Sequence, residues 1–234
     1  MTGAKPPVRN DADDDEEGGA DDGAAFSLYP AAAAFCRGML GPFASDELAV
    51  RTARRAGLRL HRFKRSTALP RVQRALSTLQ SLAPSSLLDV GTGRGTFLWP
   101  VLEAFPALPI TCIDIRIDRV DDLGATARGG LPLLKTLEAT ATALPFADGE
   151  FDVVTALEVL EHISDVEAAA REIVRVAARF VVVTVPSQAD NNPEHLRLFT
   201  ADSLVQLFEQ AGARRVSVDE VRGHFVVVVN VGGV

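Results

Sequence analysis

The sequence predicts a doubly wound α/β fold with a mostly parallel sheet. From residue 86 onward, short β-rich runs alternate with helical stretches, which is the pattern of βαβ units on a sheet covered by helices. The first β-rich run ends in a turn with three glycines, as at the carboxyl end of a strand that leads into a helix. The unbroken apolar run at residues 225–229 is too short to cross a membrane and predicts a buried strand.

Strands and helices follow one another in the order that this fold requires. We predict strands over residues 87–90, 110–115, 134–138, 151–156, 180–185, 215–221 and 225–230, of which 134–138 has the least pronounced pattern. We predict helices over residues 96–104, 117–126, 166–176 and 201–211, the last with Gly212 as its stop signal.

Charge and composition divide the chain into three parts. Residues 1–24 hold two basic and eight acidic residues and carry most of the formal net charge of −7, which leaves the rest close to neutral. This part has almost no large apolar side chain, so we predict a disordered acidic tail. Residues 25–84 predict a helical cap with a basic segment, and residues 85–234 form the main domain.

Cysteine content and hydropathy indicate a cytoplasmic protein without a membrane span. The chain has two cysteines, and Cys112 lies in an apolar run where a buried, reduced thiol is expected. The first residues lack the basic start and apolar stretch of a signal peptide, and no apolar run approaches the ~20 residues of a membrane helix.

The glycine turn predicts a nucleotide site. Gly91, Gly93 and Gly95 let the backbone turn sharply and approach a ligand closely, and Asp114 closes the next strand, where a carboxylate can bind ribose hydroxyls. A dinucleotide fingerprint would have its third glycine one residue later, and Asp89 before the turn would repel a pyrophosphate. The spacing therefore favours a cationic nucleoside over a dinucleotide.

Several ordered segments resemble the motifs of class I S-adenosylmethionine (SAM) dependent methyltransferases. They are Leu88-Asp89-Val90-Gly91-Thr92-Gly93-Arg94-Gly95, Ile113-Asp114, Leu144-Pro145-Phe146-Ala147-Asp148-Gly149-Glu150-Phe151-Asp152-Val153-Val154, Glu158-Val159-Leu160-Glu161-His162-Ile163 and Glu194-His195-Leu196-Arg197-Leu198-Phe199-Thr200. The resemblance implies a Rossmann-like methyltransferase fold of seven strands, the last antiparallel, with SAM as cofactor. It also implies methyl transfer to an oxygen, nitrogen or carbon nucleophile of a small-molecule acceptor.

The same resemblance implies a set of cofactor-binding residues. They are Asp89, Gly91, Thr92, Gly93, Gly95, Asp114, Ile115, Thr140, Ala141 and Glu158. Relatives often have an aspartate at the position of Thr140, so the contact that this aspartate makes with the adenine amine is in question here.

The candidate catalytic residues are Glu158, His162 and His195. They lie near the ends of the fourth and fifth strands, where such folds bind ligands, and a histidine suits proton transfer near neutral pH. The two histidines can equally serve to shape a short helix and a loop. His224 is predicted to be structural and far from the pocket, and His61 carries no site signal of its own.

Three alternatives stay open. Glu158, Glu161, His162 and His195 are similar to the metal-binding set of small-RNA 2′-O-methyltransferases, although no metal is part of our main interpretation. The nine basic residues from Arg51 to Arg74 would suit a nucleic acid, a solvated face or a contact with the acidic tail, and nucleic acid is not favoured. The third alternative is a module that binds SAM or a dinucleotide and has no catalytic activity.

Overall fold

Seven strands form a single sheet in the computed structural model, which describes residues 28–189 and 191–232. In chain order they are β1 (Leu87–Val90), β2 (Ile110–Asp114), β3 (Leu134–Glu138), β4 (Phe151–Leu157), β5 (Ala177–Pro186), β6 (Arg215–Val221) and β7 (His224–Asn230). Their order across the sheet is β3-β2-β1-β4-β5-β7-β6. β7 is antiparallel to both of its neighbours, and all other neighbours are parallel. The predicted doubly wound sheet is confirmed, while the predicted acidic tail lies outside the described residues.

Helices cover both faces of the sheet. They are α1 (Ala31–Leu40), α2 (Asp46–Arg55), α3 (Pro70–Leu82), α4 (Leu98–Ala104), α5 (Ile117–Arg128), α6 (Val166–Val176) and α7 (Ala201–Gln210), with short 3₁₀ turns at His61–Phe63 and Leu160–His162. α7 begins at a capping box, in which the Thr200 hydroxyl accepts from the Ser203 backbone N–H. In the described residues, no helix is long and apolar enough to cross a membrane.

Each face of the sheet has its own hydrophobic core. The first contains side chains of α1, α2 and α3 together with those of α4 and α5, and the second is built from α6 and α7. α1 crosses α5 closely: a Cβ at Gly38 would lie 1.7 Å from the Ala125 carbonyl oxygen, and one at Gly129 would lie 1.6 Å from that of Ala34. The helices predicted as a cap therefore pack on the face that also carries α4 and α5.

Several element boundaries differ from the prediction by a few residues, and two elements begin two or more residues from their predicted starts, each for a local reason. α4 begins at Leu98 rather than at residue 96 because the glycine turn, with positive φ at Gly95, extends to Phe97. β5 begins at Ala177 rather than at residue 180, since Ala177 follows α6 directly and pairs with Phe151.

Candidate active site

A cavity of about 710 Å³ opens at the carboxyl ends of β1, β2 and β4. Strand order reverses between β1 and β4, which is where ligands bind in open α/β sheets. Nine of the ten predicted cofactor residues line it, namely Asp89, Gly91, Thr92, Gly93, Asp114, Ile115, Thr140, Ala141 and Glu158. Of the predicted catalytic residues, Glu158 and His162 line the cavity, and His195 is outside the lining.

Gly95, the tenth predicted cofactor residue, serves the packing of the turn. Its φ is +82°, and an added Cβ would lie 2.2 Å from the Trp99 ring. The Trp99 Nε1–H in turn donates to the Arg62 and Arg94 carbonyls. Gly95 thus lets the buried indole sit against the back of the turn, and it does not line the cavity.

Asp114, at the end of β2, is tied to the glycine turn. Its Oδ2 accepts from the Gly93 N–H at 2.8 Å, and its Oδ1 accepts from the Arg116 N–H at 2.9 Å. Arg119 Nη1 lies 3.5 Å from Oδ2. The carboxylate is nearly buried, at 3% exposure, and its orientation is set by the backbone.

Asp89 is a buried carboxyl group at the end of β1. Its Oδ1 accepts from the Thr155 hydroxyl at 2.6 Å. Burial raises its pKa to about 6, the nearby charge of Asp114 adds to this, and the hydroxyls of Thr155 and Thr92 oppose it. A ligand cation placed beside this group would lower that pKa and stabilise the carboxylate.

Thr140 and Thr142 line the cavity. Thr140 stands at the position where relatives often have the aspartate that contacts the adenine amine. The hydroxyl oxygens of the two threonines are 2.9 Å apart. A hydroxyl can both donate and accept, so this pair can satisfy a polar ring edge without an aspartate. Ile115 is 70% exposed at the rim and offers an apolar surface beside them.

Glu158 follows β4 in a left-handed backbone conformation, with φ of +56°. Its Oε1 accepts from the Thr184 hydroxyl at 2.7 Å. Its Oε2 lies 3.0 Å from His224 Nε2 and 3.6 Å from Arg71 Nε. The prediction that His224 lies far from the pocket was wrong, because the β6–β7 hairpin brings it back to the end of β4.

Glu161, His162 and His195 come together beside the cavity. One potential ligand atom from each lies within 4.8 Å of the others, and the two imidazole rings are 4.8 Å apart, edge to face. His162 Nδ1 is 3.1 Å from the Glu194 carbonyl oxygen. Glu158, the fourth member of the predicted metal set, is engaged instead by Thr184, His224 and Arg71.

Several side chains of the basic segment, residues 51–74, form ion pairs within the fold. Four of its nine basic residues form them: Arg62 with Asp122, Arg65 with Glu103, Arg71 with Glu158 and Arg74 with Asp219. Arg71 also lines the cavity, together with Arg94, Arg116 and Arg119. The motif comparison missed Arg71, because nothing local at residue 71 signals a contact with the end of β4.

Comparisons with known proteins agree with this geometry. Residues 88–179 match the family model described as a methyltransferase domain. The chain is 28% identical over 186 residues to a malonyl-[acyl-carrier protein] O-methyltransferase of Geobacter sulfurreducens, covering 65% of this chain and 66% of that one. It is 32% identical over 117 residues to a demethylmenaquinone methyltransferase of Thermus thermophilus, covering 49% and 53%.

A solved SAM-dependent methyltransferase structure from Aquifex aeolicus has the same fold. It aligns with a TM-score of 0.58 and 22% identity over 68% of this chain and 89% of that chain. The two curated relatives are each matched over less than two thirds of their own length. Residues 88–179 are thus similar to a methyltransferase domain, and the seven-stranded sheet has the Rossmann-like fold of that solved SAM-dependent methyltransferase structure.

Proposed function

We propose that this chain transfers a methyl group from SAM to an oxygen, nitrogen or carbon nucleophile of a small-molecule acceptor. The observation that carries the proposal is the cavity at the carboxyl ends of β1, β2 and β4. Its volume of about 710 Å³ is in the range of ligand sites, and nine residues named from the sequence motifs converge on it. These nine residues come from four segments of the chain, at residues 89–93, 114–115, 140–141 and 158, which the sheet brings together.

The residues present fit SAM. Asp89 is a buried carboxyl group whose raised pKa reflects desolvation. Of the groups of SAM, the cationic amine is therefore the one that would most stabilise the Asp89 carboxylate. Asp114 is held by the Gly93 and Arg116 N–H groups and would accept from ribose hydroxyls. Thr140 and Ala141 would lie beside the adenine. The segment of residues 25–84 would contribute Arg71 and Val72 to the wall as a cap.

When bound, SAM supplies an electrophilic methyl group on a positively charged sulfur. The chain's own contribution is to orient the acceptor, exclude water and remove a proton where the nucleophile carries one. His162 is suited to the last task. Its Nδ1 faces the Glu194 carbonyl, an obligate acceptor, so Nδ1 carries the proton of the neutral ring and Nε2 is the basic nitrogen.

The small-molecule acceptor is supported by the comparisons. The two curated relatives are named for a malonyl-carrier O-methylation and for a demethylmenaquinone methylation. Neither name supports the RNA alternative, and four of the nine basic residues that would serve it form ion pairs within the fold.

Calorimetry and a labelling screen test the proposal. We expect SAM and S-adenosylhomocysteine to bind the purified protein in calorimetry, while NAD does not. Radiolabelled SAM, incubated with the protein and separate extracts of small metabolites, protein and RNA, is expected to label the metabolite fraction. Label in RNA alone would contradict the acceptor class, SAM binding without any label would indicate a non-catalytic module, and no SAM binding would overturn the proposal.

A further inference from the structure

The carboxylate of Glu158 is held from three sides by groups that are remote in sequence. Thr184 on β5 donates to Oε1, while Arg71 on α3 and His224 on β7 both approach Oε2. The side chains of Glu158, Arg71 and His224 are each about one quarter exposed, so the cluster is shielded from water over most of its surface. Interactions of this kind are screened less than those of a surface ion pair.

The backbone at Glu158 is in a strained, left-handed conformation, and this conformation sets the direction in which the side chain leaves the main chain. A φ of +56° is uncommon for a residue with a Cβ and persists only where the surroundings hold it. The Glu158 N–H also bonds to the Thr184 carbonyl, at 2.9 Å. Backbone and carboxylate are therefore both anchored to Thr184, and the strained conformation is held at the wall of the cavity.

His224 is itself oriented for this contact. Its Nδ1 lies 3.3 Å from the Arg222 carbonyl oxygen, and its Nε2 faces the Glu158 carboxylate. Both of these oxygens are acceptors, so a proton on either ring nitrogen has an acceptor to donate to. His224 and the Arg71 guanidinium therefore approach the same oxygen of Glu158.

We propose that Arg71 and His224 are positioning residues that fix the Glu158 carboxylate for contact with the bound cofactor. This inference rests on the proposed function. Oε1 of Glu158 accepts from Thr184 and Oε2 lies 3.0 Å from His224 Nε2, so the carboxylate is held in place and is better suited to accept a hydrogen bond from a ligand than to take a proton from a nucleophile. Glu158 would therefore serve binding, and proton transfer would fall to His162.

Matched variants of α3 test the part of Arg71. Arg71→Gln removes a charge that contacts Glu158, whereas Arg74→Gln removes one from the next turn that pairs with Asp219 at the surface. We expect Arg71→Gln to weaken SAM binding about tenfold in calorimetry, the size of one hydrogen bond to a charged group, and Arg74→Gln to bind as wild type. At saturating SAM, kcat of Arg71→Gln should stay within about twofold of wild type, because no reacting group is lost.

A conservative rescue tests His224. His224→Leu removes the donor and should weaken SAM binding about tenfold, while His224→Gln keeps an N–H near the position of Nε2 and should recover most of the affinity. Unfolding temperatures of the unliganded variants control for folding. A purely structural role would lower these temperatures and leave SAM affinity unchanged.

The outcomes separate this inference from the proposed function. If the wild type binds SAM and Arg71→Gln, His224→Leu and their double variant all bind it equally well, the positioning role is overturned. If the double variant loses less affinity than the sum of the two single losses, in logarithmic terms, the shared contact with Oε2 is supported. If the wild type binds no SAM, the proposed function fails and this inference fails with it.

Discussion

The N–H of Gly93 donates to the carboxylate of Asp114 at 2.8 Å, so the turn that ends β1 is bonded to the acidic residue that ends β2. These residues are partners before any ligand arrives. The positive φ of Gly93, +58°, aims its N–H at the neighbouring strand, a conformation that residues with a Cβ rarely adopt. Asp114, the last residue of β2, is therefore held in a fixed orientation at the cavity wall.

Replacement of Asp114 by Asn should separate binding from folding. The amide keeps the shape and one acceptor oxygen but loses the charge, so we expect SAM affinity to fall at least tenfold, with an unfolding temperature near that of the wild type. Calorimetry measures the affinity. Asp118→Asn is the matched control, since it removes a nearby carboxylate that is itself outside the cavity lining and pairs with the Arg116 side chain. Equal affinities in both variants would remove Asp114 from the cofactor site.

The buried carboxyl of Asp89 should make stability depend on pH. Its pKa is raised to about 6 in the folded protein, so the folded state holds this proton more tightly than the unfolded state, whose pKa is near 3.8. The contribution of Asp89 to the free energy of unfolding is then largest below pH 4 and is lost as pH rises to about 6, by roughly 3 kcal/mol.

Denaturant unfolding of wild type and Asp89→Asn between pH 4 and 7 measures this contribution, because subtraction removes the other carboxyl groups. The asparagine oxygen can still accept from Thr155. We expect the wild type to lose stability relative to the variant as pH rises through this interval, and SAM to reverse the loss. A difference between the two proteins that stays constant with pH would contradict the raised pKa.

Local sequence signals were enough to locate the strands of the sheet and the helices that follow residue 86, and nine of the ten predicted cofactor residues line the cavity. β1, β3, β6 and α6 have the predicted bounds, because apolar periodicity and turn residues act over neighbouring positions. Asp89 and Asp114 line the cavity as predicted, because successive parallel strands end at the same edge of the sheet.

Contacts that depend on tertiary packing could not be predicted from the sequence. Arg71 and His224 meet Glu158 only because α3 and the β6–β7 hairpin pack next to the end of β4. Gly95 belongs to the motif that predicts a ligand contact, yet it faces Trp99. The spacing of glycines along the chain does not reveal on which side of the turn the Trp99 ring will pack.

His162 should act in the chemical step rather than in cofactor binding. His162 lines the cavity, and with Nδ1 donating to the Glu194 carbonyl, Nε2 is the basic nitrogen of the neutral ring. For an acceptor that loses a proton, His162→Gln should lower kcat by roughly 10²–10⁴-fold and leave SAM affinity within about twofold. Single-turnover assays and calorimetry measure the two quantities. His61→Gln, outside the cavity lining, is the control, and an unchanged kcat in His162→Gln would exclude this role.

Two glycines of one turn should respond differently to alanine. A Cβ at Gly95 would overlap Trp99 at 2.2 Å, whereas the nearest atom to a Cβ at Gly93 is Arg119 Nη1 at 3.7 Å. Both positions have positive φ, so both variants carry backbone strain, but only Gly95→Ala adds a steric clash. We expect Gly95→Ala to cost about 1–3 kcal/mol more stability than Gly93→Ala in denaturant unfolding. Equal losses would show that the Trp99 contact relaxes freely.

Methyl transfer should persist in a chelator of divalent cations, despite the meeting of Glu161, His162 and His195. Asn192 Oδ1 accepts from the Glu194 N–H, which turns the Asn192 amide nitrogen toward His195 Nε2 at 3.1 Å. Nε2 is therefore the acceptor of this hydrogen bond and the proton of a neutral His195 lies on Nδ1, so a metal ion at either nitrogen would have to displace the Asn192 contact or that proton.

This arrangement leaves His162 Nε2 and the Glu161 carboxylate as ligand atoms in the cluster, fewer than the three protein ligands of a typical catalytic zinc site. We expect the rate with chelator to match the rate without it, and elemental analysis to find less than one equivalent of metal per chain. Asn192→Ala provides the contrasting variant, because it deletes the hydrogen bond that fixes Nε2 of His195 as an acceptor. Loss of wild-type activity in chelator, restored by a divalent ion, would contradict this prediction and favour the metal-assisted alternative.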